Sequence, residues 1–381
     1  MTKDNIKILI INESLRLGGA ESMSVELANA LAERQNIKVS FASARGPLMN
    51  RLNSNIEFFE IPKYNLFSIP KIINSLSEII KKIKPDIVHN QGATLSILSG
   101  IAIKKTNLKP INILTHHSRK FSRAPSFLAV HLLKKYCNYI IAISESKYKE
   151  LKKNGVPENK LSLTPNFIDY DKIRNQLNSF DKKAIREELN ISENNKIITM
   201  IGRLILDKRF DKFIKILAQC SEKSKEKLVG LIIGEGPERK KLERIAYSYP
   251  NKVKILFLGY QNNIYKYLSI SNIFLFPSEY EVLPMVLVEA SASGIPIICS
   301  NISGNNDIVK NGYNGFLVND SKKEYYDCIL KLLNNKKLAK RMSNNGIEVA
   351  KNKFDKKVVI NSIISLYRDL LYFPNKKVYE K

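Results

Sequence analysis

The sequence predicts an α/β protein made of two doubly wound, parallel-sheet halves. Three observations carry this. Short β-branched runs alternate with amphipathic helical patterns along almost the whole chain, and strand–helix alternation of that kind builds parallel sheets. The alternation pauses once, around residues 165–192, and then starts again. The loops that follow strands and open helices repeatedly carry glycine or polar residues. The 381 residues suffice for two domains of ordinary size.

The first strand is read at Ile6 to Ile11, followed by a turn at Leu17-Gly18-Gly19 and a helix from Ala20 to Ala32. Further strands are expected at Lys38 to Ala42, Ile56 to Ile61, Ile87 to His89, Ile111 to Thr115 and Tyr139 to Ile143. Between them, Lys71 to Lys84 places Ile72, Ile73, Leu76, Ile79, Ile80 and Ile83 on one helical face. After the pause at Leu163-Thr-Pro-Asn-Phe-Ile-Asp169, strands are read at Lys196 to Ile201, Leu228 to Ile233, Val253 to Leu258, Ile273 to Phe276, Ile295 to Cys299 and Gly315 to Val318. No short repeat is present, which excludes a solenoid. Two Rossmann-like halves bind ligands outside the carboxyl ends of their strands, so a site is expected in the cleft between them.

Composition narrows the function classes. Hydrophobic residues at 44% and charged residues at 26% exclude a disordered or collagen-like chain. Cys137, Cys220, Cys299 and Cys328 form no C-x-x-C pair, which argues against a disulfide scaffold or cysteine zinc site and fits a reducing cytoplasm. The N-terminal apolar stretch, Ile8 to Ile11, is too short for a secretory signal, and no segment reaches the roughly 18 apolar residues of a membrane span. The formal net charge of +26 would attract phosphates on nucleic acid, anionic lipid or small molecules. Richness in Lys, Asn and Ile together is an equally good compositional explanation.

Four strand-to-helix loops carry chemistry. Gly18-Gly19-Ala20-Glu21 allows close backbone approach and opens a helix whose free N–H groups suit an anion, although a tight turn alone would also use it. Gly202-Arg203-Leu204 with Lys208 sets two cations five residues apart, able to meet one phosphate group, or simply to be solvated. Gly234-Glu-Gly236-Pro237 is an incomplete dinucleotide fingerprint, because Arg239 stands at its third glycine; Pro237 starts a helix to Tyr247. The fourth, Pro277 to Pro296, has Glu281 in a loop and Glu289 inside a helix starting near Pro284. The helix N-terminus can hold phosphate while the carboxylates accept from sugar hydroxyls.

These motifs, in this order, together with Pro165-Asn166, Leu258-Gly259 and Gly312-Tyr-Asn-Gly315, resemble the retaining glycosyltransferases of family 4, which have the GT-B fold. The resemblance covers essentially the whole chain and is most specific from about 196 to 318. It implies transfer of a sugar from a nucleotide-diphosphate donor, a UDP-sugar, to a lipid-linked or polysaccharide acceptor in bacterial capsule, O-antigen or exopolysaccharide assembly. Residues 1–165 would be the acceptor domain, 166–192 a linker, 193–357 the donor domain, and 358–381 a helix crossing back. Arg203 and Lys208 would neutralise the diphosphate, Glu289 hold the ribose and Glu281 the sugar. The backbone of the stretch Leu283, Pro284 and Met285 would meet sugar and phosphate, and Gly18 and Gly19 line the phosphate side. His117, favoured over His116 by its spacing from Thr115, would face the sugar. The base slot is expected near Leu258 to Gln261.

Two positions depart from the family pattern: Val282 and Arg209 stand where glycine is usual. The resemblance also implies no cofactor or metal, since the family stabilises the leaving diphosphate with fixed cations and helix dipoles, and Asp169-Tyr-Asp171 is read as linker, not metal site. The basic and aromatic run His116 to Arg123, the following Phe127-to-Leu133 helix and the Lys71 to Lys84 helix suggest a surface for anionic membrane at the cytoplasmic face. Competing readings are a GT-B nucleotide-sugar epimerase, a non-catalytic lectin-like relative and a nucleic-acid-binding protein. The last lacks helix-turn-helix, zinc-finger or aromatic RNP patterns, so no nucleic-acid partner is expected.

Overall fold

The computed structural model describes residues 5–117, 126–249, 253–319 and 321–373. The chain divides into two compact units. One holds the residues up to Phe167 together with those described from Lys356 onward; the other is Ile168–Asp355.

The first unit has seven strands: β1 (Ile6–Ser14), β2 (Ile37–Ala44), β3 (Glu57–Glu60), β4 (Ile87–Asn90), β5 (Ile111–His116), β6 (Tyr139–Ala142) and β7 (Leu161–Leu163). They pair in parallel in the order β3-β2-β1-β4-β5-β6-β7. Strand β1 reads as a continuous apolar run because both its faces are covered. Ile8 and Ile10 pack with Leu31 of the helix Gly19–Ala32 and with Ile360 and Tyr367 of the helix Lys356–Tyr372. Leu9 and Ile11 point the other way, onto Ile72, Leu76 and Ile80 of the helix Ile69–Ile83. That helix starts at Pro70 in its first turn and stops where Lys84 turns left-handed, at φ 49°.

The second unit has six strands: β8 (Lys196–Ile201), β9 (Leu228–Ile233), β10 (Lys254–Phe257), β11 (Ile273–Phe276), β12 (Ile297–Ser300) and β13 (Gly315–Val318). Their order is β10-β9-β8-β11-β12-β13, again all parallel. Strand order reverses between β1 and β4 in one sheet and between β8 and β11 in the other. Those are the points where such sheets open a crevice at the carboxyl ends of their strands.

Some elements went unread in the sequence. Strand β7 has only three residues and pairs along one side. The stretch read as linker holds two helices, Tyr170–Ser179 and Lys182–Glu188, capped by Asp169 and Asp181. The Ile168 N–H donates to the Phe354 carbonyl at 2.8 Å, tying together the two ends of the second unit. The Arg119, Lys120, Phe121 and Arg123 cluster lies outside the described residues. Among the described residues, no helix is long and apolar enough to cross a membrane.

Candidate active site

In the second unit, the loops after β8, β9 and β10 are laced together by main-chain hydrogen bonds. The Leu204 N–H donates to the Glu235 carbonyl (2.9 Å), Glu238 N–H to Leu204 (3.0 Å), and Gly234 N–H to Gly259 (2.7 Å). Gly234 sits at φ 136°, and a Cβ there would run into the Gly202 carbonyl oxygen. No other residue type can take that place without moving the loop that carries Arg203. The sequence showed these as separate glycine motifs; they form one platform at the carboxyl end of the sheet.

Arg203 leaves this platform exposed; its carbonyl accepts the Ile205 N–H at 2.8 Å, and its side chain makes no hydrogen bond or ion pair among the described residues. Five residues on, Lys208 ends a short 3-10 turn and pairs with Glu281, their side chains 22% and 9% exposed. The Lys208 Nζ also lies 5.4 Å above the Phe276 ring. Glu281 is held from two further directions. Ser278 Oγ donates to its Oε1 at 2.8 Å, and Gly304 leaves room for its carbonyl, where a Cβ would be 2.5 Å away. The Glu279 N–H donates to the Asp207 carbonyl (2.9 Å), so the loops after β8 and β11 are joined across the switch point.

The helix Met285–Ala292 begins after Pro284, with Leu283 and Pro284 buried. One turn in, burial pushes the Glu289 carboxyl up to about 7, opposed by a hydrogen bond from the Tyr265 hydroxyl at 3.4 Å. Tyr265 opens the short helix Tyr265–Leu268, and nothing in its sequence surroundings marks it. In the expected base slot, Gln261 Nε2 donates to the Leu258 carbonyl at 2.6 Å.

The two departures from the glycine pattern resolve differently. Arg209 adopts φ 58°, the left-handed conformation for which glycine is the natural choice. Its guanidinium is tied to Asp211, at 3.1 Å from Nε, and to Glu279. Val282 has no positive φ, so its backbone makes no demand for glycine.

In the first unit, Gly18 caps the helix Gly19–Ala32 in extended conformation, and a Cβ on it would strike the Glu21 carboxylate. Glu21 thus sits in the first helical turn, where the dipole favours negative charge. His116 is buried, its pKa lowered to about 3 by burial and by Lys147. His117 follows β5, and burial lowers it to about 4, so it is a neutral imidazole at physiological pH. Its Nε2 lies 2.8 Å from Gln91 Oε1. Behind it, buried His89 joins Tyr367 Oη (2.5 Å) to Thr115 Oγ1 (2.7 Å). The Tyr367 hydroxyl has no other partner among the described residues, so it donates to Nδ1. The Nε2–H then donates to Thr115. The structure thus brings Arg203, Lys208, Glu281 and Glu289 onto one sheet end, and Gly18, Gly19 and His117 onto the strand ends of the other unit.

Two family profiles match the chain: Glycosyltransferase Family 4 over residues 17–172, and Glycosyl transferases group 1 over residues 181–349. The chain belongs to the family 4 glycosyltransferases. It is therefore a transferase, with the GT-B pair of parallel-sheet units. The chain is 28% identical to an Escherichia coli UDP-Gal:alpha-D-GlcNAc-diphosphoundecaprenol alpha-1,3-galactosyltransferase, over 97% of this chain and 98% of that one. It is 27% identical to the capsular polysaccharide biosynthesis glycosyltransferase CapM of Staphylococcus aureus, over 89% and 91%. Among solved structures, a Rickettsia africae glycosyltransferase superposes with a TM-score of 0.84 at 20% identity, covering 97% of this chain and all of that one. Anabaena HepE bound to UDP superposes with a TM-score of 0.80 at 19% identity, covering 95% and 99%. In this glycosyltransferase, the Asp169 carboxylate of the Asp-x-Asp sequence accepts the Lys172 N–H at 3.1 Å as a helix cap.

Proposed function

We propose that the chain transfers a sugar from a UDP-sugar to a lipid-linked or polysaccharide acceptor in bacterial surface-glycan assembly, with retention of anomeric configuration and without a bound metal. The observation that carries this is the second unit's sheet end, where exposed Arg203 and the Lys208–Glu281 pair stand beside Glu289. Breaking a sugar–phosphate bond leaves a diphosphate whose growing charge must be met. Arg203 and Lys208 supply fixed positive charge, and a helix N-terminus at Met285 adds its dipole. Ion pairing with Glu281 holds Lys208 in place before donor arrives, and Glu281 keeps an oxygen for a sugar hydroxyl. Glu289 accepts from the ribose hydroxyls. The UDP donor is supported by the names of the E. coli relative and of the HepE complex, and the lipid-linked acceptor by the former.

Thermal-shift titration with UDP, GDP, ADP and CMP, each with and without EDTA, tests the donor. A ligand bound only by the folded protein raises its melting temperature. UDP-selective stabilisation unchanged by EDTA supports the reading. Loss of the shift in EDTA rejects metal independence, and no shift with any nucleotide rejects the donor assignment. Product anomer analysis by NMR decides retention.

Peripheral attachment to anionic membrane belongs to the same proposal. It is supported by Leu66 and Phe67, 75% and 94% exposed on a turn that Asn65 caps, ahead of a helix carrying Lys71, Lys81 and Lys82. Flotation with anionic vesicles at low salt should carry the protein up. Flotation equal to that with neutral vesicles rejects the attachment.

A further inference from the structure

Glu289 stands one turn into the helix Met285–Ala292, half-buried, with its carboxyl pushed up to about 7 by burial. Among the described residues its side chain has one partner, the Tyr265 hydroxyl, which donates to Oε1 at 3.4 Å. The other oxygen, Oε2, has none and is not sealed from solvent, so it stays open to a ligand. The helix that carries Tyr265 is a single turn, Tyr265–Leu268, yet it is fastened without help from that hydroxyl. Asn263 Oδ1 accepts the Tyr265 N–H at 3.1 Å, and Lys266 Nζ reaches both carboxylate oxygens of Glu188 at 2.9 and 2.7 Å. Tyr267 and Leu268 are buried. Packing accounts for an aromatic ring at position 265 but not for its hydroxyl, since phenylalanine would fill the same space. At 3.4 Å the bond is long for O–H···O, so it supports the carboxylate without clamping it.

We propose that Tyr265 is a positioning residue for the nucleotide donor: its hydroxyl holds Oε1 of Glu289 and leaves Oε2 for the ribose hydroxyls. The tyrosine touches no substrate in this role and acts through the carboxylate alone. An ionised carboxylate only accepts, which suits two hydroxyl donors, whereas a protonated one would present a competing O–H. The Tyr265 hydrogen bond favours the ionised form and so opposes the effect of burial. Tyr265 also follows closely on Leu258 to Gln261, the expected base slot, so one short segment would serve both base and ribose. This inference rests on the reading of Glu289 as the ribose-binding residue, and its test separates the two.

Isothermal titration of the full chain with UDP and with 2′,3′-dideoxy-UDP, which lacks both ribose hydroxyls, is the test. The wild-type protein should bind UDP about tenfold or more tightly than the dideoxy compound. Tyr265→Phe, shown by its melting curve to be folded, should weaken UDP by about threefold to tenfold, as for one long hydrogen bond to a charged group, and leave the dideoxy compound within about twofold. In a Glu289→Ala background the same substitution should change UDP affinity by less than about twofold, because the group it acts through is gone. Should Glu289→Ala not fold, Glu289→Gln takes its place, and there the loss from Tyr265→Phe should be smaller than in the wild type. Equal weakening of both ligands by Tyr265→Phe marks a general disturbance of the loop and overturns the proposal. Undiminished loss in the Glu289 variant overturns it too. A wild-type protein that binds the two ligands equally refutes the ribose role of Glu289 itself; discrimination present in the wild type and intact in Tyr265→Phe refutes Tyr265 alone.

Discussion

Replacing Glu289 with glutamine should make the protein more stable and a worse enzyme. The carboxyl's pKa is raised from 4.5 to about 7 because burial disfavours its charged form. A group whose folded pKa lies above its unfolded value binds more protons in the folded state. Stability is therefore lost as pH rises from about 4.5 to 7, and the full cost stands above that window. The whole shift corresponds to a ceiling of about 3 kcal/mol. Glu289 retains some solvent contact, so about half of that is the working figure. At pH 8, Glu289→Gln should melt higher by roughly 3–6 °C for a unit of this size, with the gap closing toward pH 4.5. The buried histidines, lowered to between about 3 and 4, contribute equally to both proteins and cancel in the difference. Melting by circular dichroism across pH 4.5–8.5 measures the gap, and titration with UDP measures the loss of ribose recognition. A difference that does not change with pH, or a variant less stable at pH 8, would refute the reasoning.

Three further outcomes are expected. Arg203→Ala should weaken donor binding by about tenfold to a hundredfold, as for a lost charge-assisted hydrogen bond, with the melting temperature within about 1 °C because the side chain is exposed and unpaired. Isothermal titration beside a melting curve checks both halves. Gly234→Ala should cost about 2–4 kcal/mol, since φ 136° and the Gly202 carbonyl both oppose a Cβ; a urea midpoint equal to wild type would contradict the interlocked loops. Tyr367→Phe strips His89 Nδ1 of its donor and should cost about 1–3 kcal/mol in the first unit, read as earlier hydrogen exchange in β4 and β5.

What the sequence made legible was whatever repeats or sits at a strand end. Apolar runs with period two or full burial located twelve of the thirteen strands; Gly202, Gly234 and Glu281 stood out in loops that follow strands, and Glu289 as a carboxylate inside the helix after the Glu281 loop. Strand β7 escaped because three residues show no periodicity. The left-handed Arg209 was visible only as an unusual residue; its ion pairs with Asp211 and Glu279 needed coordinates. Tyr265, Gln91 and the His89–Tyr367 pair, separated by 278 positions, were hidden for a different reason. Each is an ordinary residue whose role is set by a neighbour that only folding supplies.

The division of the chain also fixes an order of events during synthesis. The Ile8–Ile10 face of the first sheet is sealed in part by Ile360, Ile363 and Tyr367, which belong to its last helix. The intervening unit, Ile168–Asp355, is continuous in sequence and can close on its own as it emerges. At ordinary translation rates, the first unit's earliest strands then wait roughly 20–70 s for their final cover. A ribosome stalled or a chain cut before residue 356 would release a protein with a finished second unit and an open apolar sheet face in its first. Nascent-chain proteolysis would see that asymmetry as late-acquired protection at the N-terminus.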